Sequence, residues 1–96
     1  MAKADLRKAE ADAMRVRVGR ALERAVQRRG WTLKEFAGEV EKDQRQCSRW
    51  FTGEERPQFD VLFAIESFRQ PLVVALAELA GHAVEIETTI RVRQVA

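Results

Sequence analysis

The sequence predicts a small, mainly α-helical domain of five helices that is followed by one β-strand. The 96-residue length suits a single hydrophobic core. Apolar residues recur at helical spacing through residues 18–81. From Val84 to Val92, apolar and polar residues alternate strictly, which is typical of a strand with one buried face. We therefore divide the chain into an exposed helical arm or start of the first helix (1–17), a helical domain (18–81) and a strand segment (82–96).

Capping residues define the second and third predicted helices. Thr32 is a good N-cap, and Glu35 three residues later completes a capping box for a helix over Leu33–Val40. Asp43 caps a third helix, which runs through Thr52 and ends at the following glycine.

Glycine and proline mark the ends of the other helices. Gly30 is expected to end the first helix. A fourth helix is predicted from about Phe59 to Phe68. Pro71 at an N-terminal position and Gly81 just past the end bracket a fifth helix.

Positive charge is concentrated in one part of the chain. From Arg15 to Arg56 there are eleven Lys or Arg against seven Asp or Glu, whereas the rest has six against eight. A basic segment favours a phosphate-bearing partner, although a solvated basic surface explains the charge alone equally well.

Composition argues against several classes of protein. The single cysteine, Cys47, cannot form an internal disulfide and is expected to be a small core residue. The single histidine, His82, has no second metal ligand nearby in the sequence, and we find no catalytic constellation. We therefore expect no enzyme, no metal or cofactor, and no small-molecule ligand. No apolar run approaches the roughly 18 residues of a membrane span, and the charged N-terminus lacks a signal peptide, so we expect a cytoplasmic protein.

The predicted third helix has two distinct faces when its residues are placed at about 100° intervals. Cys47, Trp50 and Phe51 cluster on one side, with Gln46 at its border. The other side is polar and carries no acidic residue: Gln44, Arg45, Ser48, Arg49 and Thr52. Arginine can bond guanine and glutamine can bond adenine in the major groove, while the short hydroxyl side chains can approach a phosphate or a thymine methyl. A solvated polar helix face is the alternative.

The segment from Trp31 to Gly53 resembles the helix-turn-helix of phage repressor, Cro and XRE-type regulators, and the likeness covers about residues 18–80. The positions that fit are Ala37, Val40, Asp43, Cys47, Trp50, Gly53 and Pro57. The resemblance implies a lambda-repressor-like fold that binds double-stranded DNA.

The resemblance also implies a role for each matching position. Gln44, Arg45 and Arg49 would contact bases. The remaining positions would make backbone or secondary contacts: Gln46 and Ser48 near sugar and phosphate, Thr32 and Lys34 at the start of the preceding helix, and Arg56 in the following loop.

Three residues depart from the family pattern. Glu41 stands where the turn usually has glycine, and Lys42 where it usually has an apolar residue. These two predict a longer or differently shaped turn. Leu33 replaces the glutamine that often opens the first helix of the motif, so one usual phosphate contact is missing.

The charge order of the strand predicts self-pairing. In an antiparallel pair centred on Thr89, opposite charges and apolar residues face each other across the two copies. The contacts are Glu85 with Arg93, Glu87 with Arg91, Ile86 with Val92, and Thr88 with Ile90. The alternatives are an edge strand docked on its own helices and a disordered tail.

These expectations together predict a homodimeric transcriptional regulator, most simply a repressor that reads a palindromic operator. An antitoxin or another protein-interaction module with the same fold is the alternative, for which only the arm at residues 3–17 could bind the partner. A third possibility is an adaptor that has lost DNA binding.

Overall fold

The computed structural model describes residues 3–81, which form five helices. They are α1 (Lys3–Arg29), α2 (Leu33–Val40), α3 (Gln44–Thr52), α4 (Phe59–Ala64) and α5 (Glu66–Leu79). The predicted strand, and with it every predicted contact from Glu85 to Arg93, lies outside the described residues.

The first helix has an exposed half and a packed half. Every side chain from residue 4 to residue 14 is exposed, whereas Leu22, Ala25 and Val26 are buried in the core. At its end, Arg28 forms an ion pair with Glu78 of α5. Gly30, with a φ of 83°, then turns the chain toward α2. None of the helices described is both long and apolar enough to span a membrane.

The core is centred on Phe36 of α2. Its ring contacts Trp50 edge-on at 6.3 Å between centroids and stacks on Phe51 at 5.6 Å. On another side it lies 5.8 Å from Phe68 of α5. Phe36, Trp50 and Phe68 are fully buried, so this cluster fixes α3 against the rest of the domain.

The predicted bounds of α2 and α3 are confirmed, and so are their caps. The Thr32 hydroxyl accepts a hydrogen bond from the Glu35 amide at 3.2 Å, and the Glu35 carboxylate accepts one from the Thr32 amide at 3.1 Å. Asp43 accepts a 2.7 Å bond from the Gln46 amide. Each cap satisfies backbone N–H groups that the helix leaves unpaired.

The start of the fourth helix at Phe59 and the end of the fifth before Gly81 are confirmed, but the predicted boundary between the two helices is wrong. The chain breaks at Ile65, which is extended with φ −85° and ψ 102°, and Pro71 lies inside α5 rather than at its start. Leu62 and Phe68 are both fully buried, yet six residues of continuous helix would place them about 120° apart. The break at Ile65 lets both side chains enter one core.

Pro71 removes one backbone hydrogen bond from α5. It is the sixth residue of the helix, where its missing N–H leaves the Ser67 carbonyl without its usual partner. Ser67 is exposed, so water can bond that carbonyl instead.

Candidate nucleic-acid interface

The two predicted faces of α3 differ in burial as their sequence suggests. Cys47 and Trp50 are fully buried and Phe51 is half-buried. The polar face is open to solvent, with Ser48 half-buried and the others exposed: Gln44, Arg45, Arg49 and Thr52. The arginine and amide groups of this face share α3 with no acidic residue.

The turn between α2 and α3 is short, so of the two expected alternatives, a longer or a differently shaped turn, the longer one is wrong. Three residues, Glu41 to Asp43, link the two helices. Glu41 itself adopts the left-handed conformation, with φ 55° and ψ 41°. Its N–H donates to the Gly38 carbonyl at 3.3 Å, and the Lys42 N–H donates to Ala37 at 3.1 Å, which closes the end of α2.

Three of the residues expected at the DNA backbone are exposed and are positively charged or hydroxyl-bearing. Thr32 and Lys34 lie at the start of α2, and Arg56 lies in the loop after α3. The Thr32 oxygen accepts the capping bond, so its O–H proton is free to donate. Within residues 3–81, no carboxylate forms an ion pair with Lys34, Arg45, Arg49 or Arg56.

Gln46 differs from the other predicted site residues. Its side-chain amide donates to the Glu55 carboxylate at 3.1 Å, and the Trp50 indole N–H donates to the same oxygen at 3.1 Å. Sequence reasoning missed Glu55. A buried tryptophan signals the need for an acceptor, but the sequence does not say which residue supplies it.

Two glycines, whose packing role sequence reasoning also missed, let α1 approach the end of α3 closely. A Cβ on Gly19 would lie 2.3 Å from the Trp50 carbonyl oxygen and 2.6 Å from that of Phe51. A Cβ on Gly53 would lie 2.7 Å from the Val16 Cα. The C-terminal end of α3 is therefore held directly against the α1 backbone.

The prediction that Cys47 is a core residue is confirmed, because the residue is fully buried. Burial raises the pKa of its thiol, and the nearby charge of Asp43 raises the pKa further. The neutral thiol is therefore favoured, as expected of a packing residue rather than a nucleophile.

A short helix joined by a three-residue turn to a second helix, whose outer face is polar and basic, is the arrangement of a helix-turn-helix DNA-binding domain. Residues 22–68 match the family model described as helix-turn-helix. This segment is therefore a helix-turn-helix of the Cro and XRE-type family, which supports a DNA-binding transcription regulator in general. No curated protein and no solved structure matches the chain.

Proposed function

We propose that the protein is a repressor that binds a palindromic operator as a homodimer. The observation that carries this proposal is the exposed face of α3, which combines Gln44, Arg45 and Arg49 with a complete absence of acidic residues along the helix. A helix of this kind fits the major groove, where each base pair presents a distinct pattern of donors and acceptors.

The side chains on this face divide into base-reading and supporting groups. Arg45 and Arg49 each bond the O6 and N7 atoms of a guanine, and Gln44 bonds the N6 and N7 atoms of an adenine. Ser48 and Thr52 are shorter and contact a phosphate or a thymine methyl.

Contacts to the phosphate backbone orient the domain without reading sequence. Thr32 and Lys34 lie at the N-terminus of α2, where the helix dipole favours an anion. Arg56 binds a second phosphate from the loop after α3. The contacts of the two cations, Lys34 and Arg56, contribute affinity that falls as salt concentration rises.

The dimer in this proposal forms through the C-terminal segment. Two copies pair antiparallel about Thr89, so that Ile86 and Thr88 meet Val92 and Ile90 of the other copy. A twofold dimer presents two copies of α3 about 34 Å apart, one helical turn of DNA, which matches a palindromic site.

Selection of duplexes from a random pool, followed by a salt titration, tests the DNA-binding part. We expect one selected palindrome, bound far more tightly than random DNA, and a steep loss of affinity with salt. Arg45→Ala and Arg49→Ala should relax the preference at single base positions, whereas Lys34→Ala should weaken all duplexes alike.

Lys8→Ala is the matched control, since Lys8 is exposed in the distant part of α1 and the change removes the same charge. The proposal fails if no duplex is preferred and both arginine variants behave as the wild type.

Sedimentation tests the dimer. A chain that ends at Gly81 should be monomeric, and a truncated dimer would contradict the strand pairing. In the full chain, Glu85→Arg places two positive charges opposite each other and should weaken the dimer. Adding Arg93→Glu restores opposite charges in the same register and should restore the dimer.

A second candidate function is binding of a protein partner, as an antitoxin does, through the first half of α1. The exposure of Leu6 (47%) and Met14 (44%) on that helix favours it. A chain that begins at residue 15 lacks this surface. If the operator-binding proposal holds, the shortened chain keeps the DNA preference of the full chain.

A further inference from the structure

The Glu55 carboxylate joins the recognition helix α3 to the loop that follows it. One of its oxygens accepts hydrogen bonds from the Gln46 amide and the Trp50 indole, both at 3.1 Å. We propose that Glu55 is a positioning residue for specificity: it holds Gln46 against Trp50 and so keeps that amide from reading a base. This inference rests on the proposed function, since it concerns which residues of α3 read DNA.

The contact with Trp50 holds Glu55 in place. Trp50 is fully buried, and its indole N–H requires an acceptor because an unpaired buried donor is unfavourable. Glu55 is half-buried, and its charge strengthens the bonds that it accepts. The Glu55 carboxylate is thus already needed at this position to pair the Trp50 indole N–H, and Gln46 bonds the same group.

Gln46 lies at the border between the two faces of α3. On a helix it is about 40° from Trp50 and about 60° from Arg49. Its amide could therefore swing either toward the core or toward the bases. The bond to Glu55 selects the first arrangement, which leaves Gln44, Arg45 and Arg49 as the long side chains on the DNA-facing side.

The same residue also orders the loop. The Glu55 N–H donates to the Arg49 carbonyl at 3.2 Å, and two residues later Pro57 is buried. Arg56 lies exposed between these two anchored residues. The backbone of Arg56 is therefore held in place before its guanidinium binds a phosphate.

The experiment compares the selected DNA sequences of the wild type, Glu55→Gln, Glu55→Ala, Gln46→Ala and the double variant Glu55→Ala with Gln46→Ala. Glu55→Gln retains a carbonyl oxygen that can accept both bonds, and it should keep the wild-type preference. Glu55→Ala releases Gln46, and it should gain a new preference, near tenfold, at one base position.

The double variant should lose that new preference, and Gln46→Ala alone should select the wild-type sequence. Exchange of the Trp50 indole proton, followed by NMR, gives a readout without DNA. We expect slow exchange in the wild type and Glu55→Gln, and faster exchange in Glu55→Ala.

The possible failures are distinct. A wild-type chain that selects no DNA sequence refutes the proposed function. A wild-type chain that does select one, but changes its base preference with Gln46→Ala alone, refutes the positioning role. That role is also refuted if the altered preference of Glu55→Ala persists in the double variant. If Glu55→Ala does not fold, a change of preference in Glu55→Gln would overturn the proposal, and an unchanged preference that also survives Gln46→Ala would support it.

Discussion

Two left-handed backbone positions bracket the recognition helix, and they differ in what surrounds them. Glu41 before α3 has φ 55°, and Gly53 after it has φ 83°. Glu41 is exposed, whereas Gly53 faces the α1 backbone at Val16. At a left-handed position, glycine is therefore most needed where a second element packs against the turn. Where the turn is open, a side chain is accommodated at the modest cost of the left-handed conformation.

Gly53→Ala should have the largest effect on stability. The new Cβ meets backbone atoms of Val16 at 2.7 and 2.9 Å, and the left-handed conformation disfavours any side chain. We expect a loss of about 2–5 kcal/mol in the free energy of unfolding, measured by urea titration with tryptophan fluorescence.

Gly30→Ala is the matched control for this change. Gly30 has the same φ of 83°, but a Cβ there would have no neighbour within 4 Å. Its loss should be only about 1–2 kcal/mol. Equal losses at the two positions would show that contact with Val16 does not matter.

Gly19→Ala should have the next largest effect, because α1 also approaches the end of α3 closely at this helical glycine. Its Cβ would meet the carbonyl oxygens of Trp50 and Phe51, and neither backbone can move independently. We expect a loss of about 1–3 kcal/mol in the same titration, although alanine favours helix.

Gly38→Ala is the comparison for this second prediction. Gly38 is an exposed helical position in α2, and a Cβ there has open space within 4 Å. Alanine should therefore stabilise the protein there, by up to about 1 kcal/mol. Destabilisation by both substitutions would mean that the packing of α1 on α3 does not explain Gly19.

Glu41→Gly should have the smallest effect, and it should stabilise. Glycine adopts the left-handed conformation without strain, so the free energy of unfolding should rise by about 0.5–1 kcal/mol. Glu41→Ala keeps the strained conformation and should change stability little. If alanine stabilises as much as glycine, the charge of Glu41 rather than its backbone would be responsible.

The parts of the fold that sequence predicts best are those with local causes. The ends of α2 and α3 depend on Thr32, Glu35, Asp43 and Gly53, each acting within a few residues of itself. The break at Ile65 has no side-chain cap and arises from packing on both sides. Nothing in the surrounding sequence indicates it, and Pro71 suggested a helix start in the wrong place.

The candidate site shows the same limit. The polar face of α3 follows from helical spacing alone, so its residues could be identified before the fold was known. The contact of Gln46 with Glu55 depends on how the loop folds back, nine residues later in the chain. The need for glycine at position 19 likewise arises from its contact with α3, which is distant in the sequence.

The alkylation of Cys47 can report how often the recognition helix α3 separates from the core. Its thiol is fully buried on the inner side of α3, so an alkylating reagent can reach it only when that helix lifts from the core. The rate of alkylation therefore measures an opening equilibrium at the centre of the motif. A bound duplex, which holds α3 from outside, should slow the labelling of a residue that it does not touch.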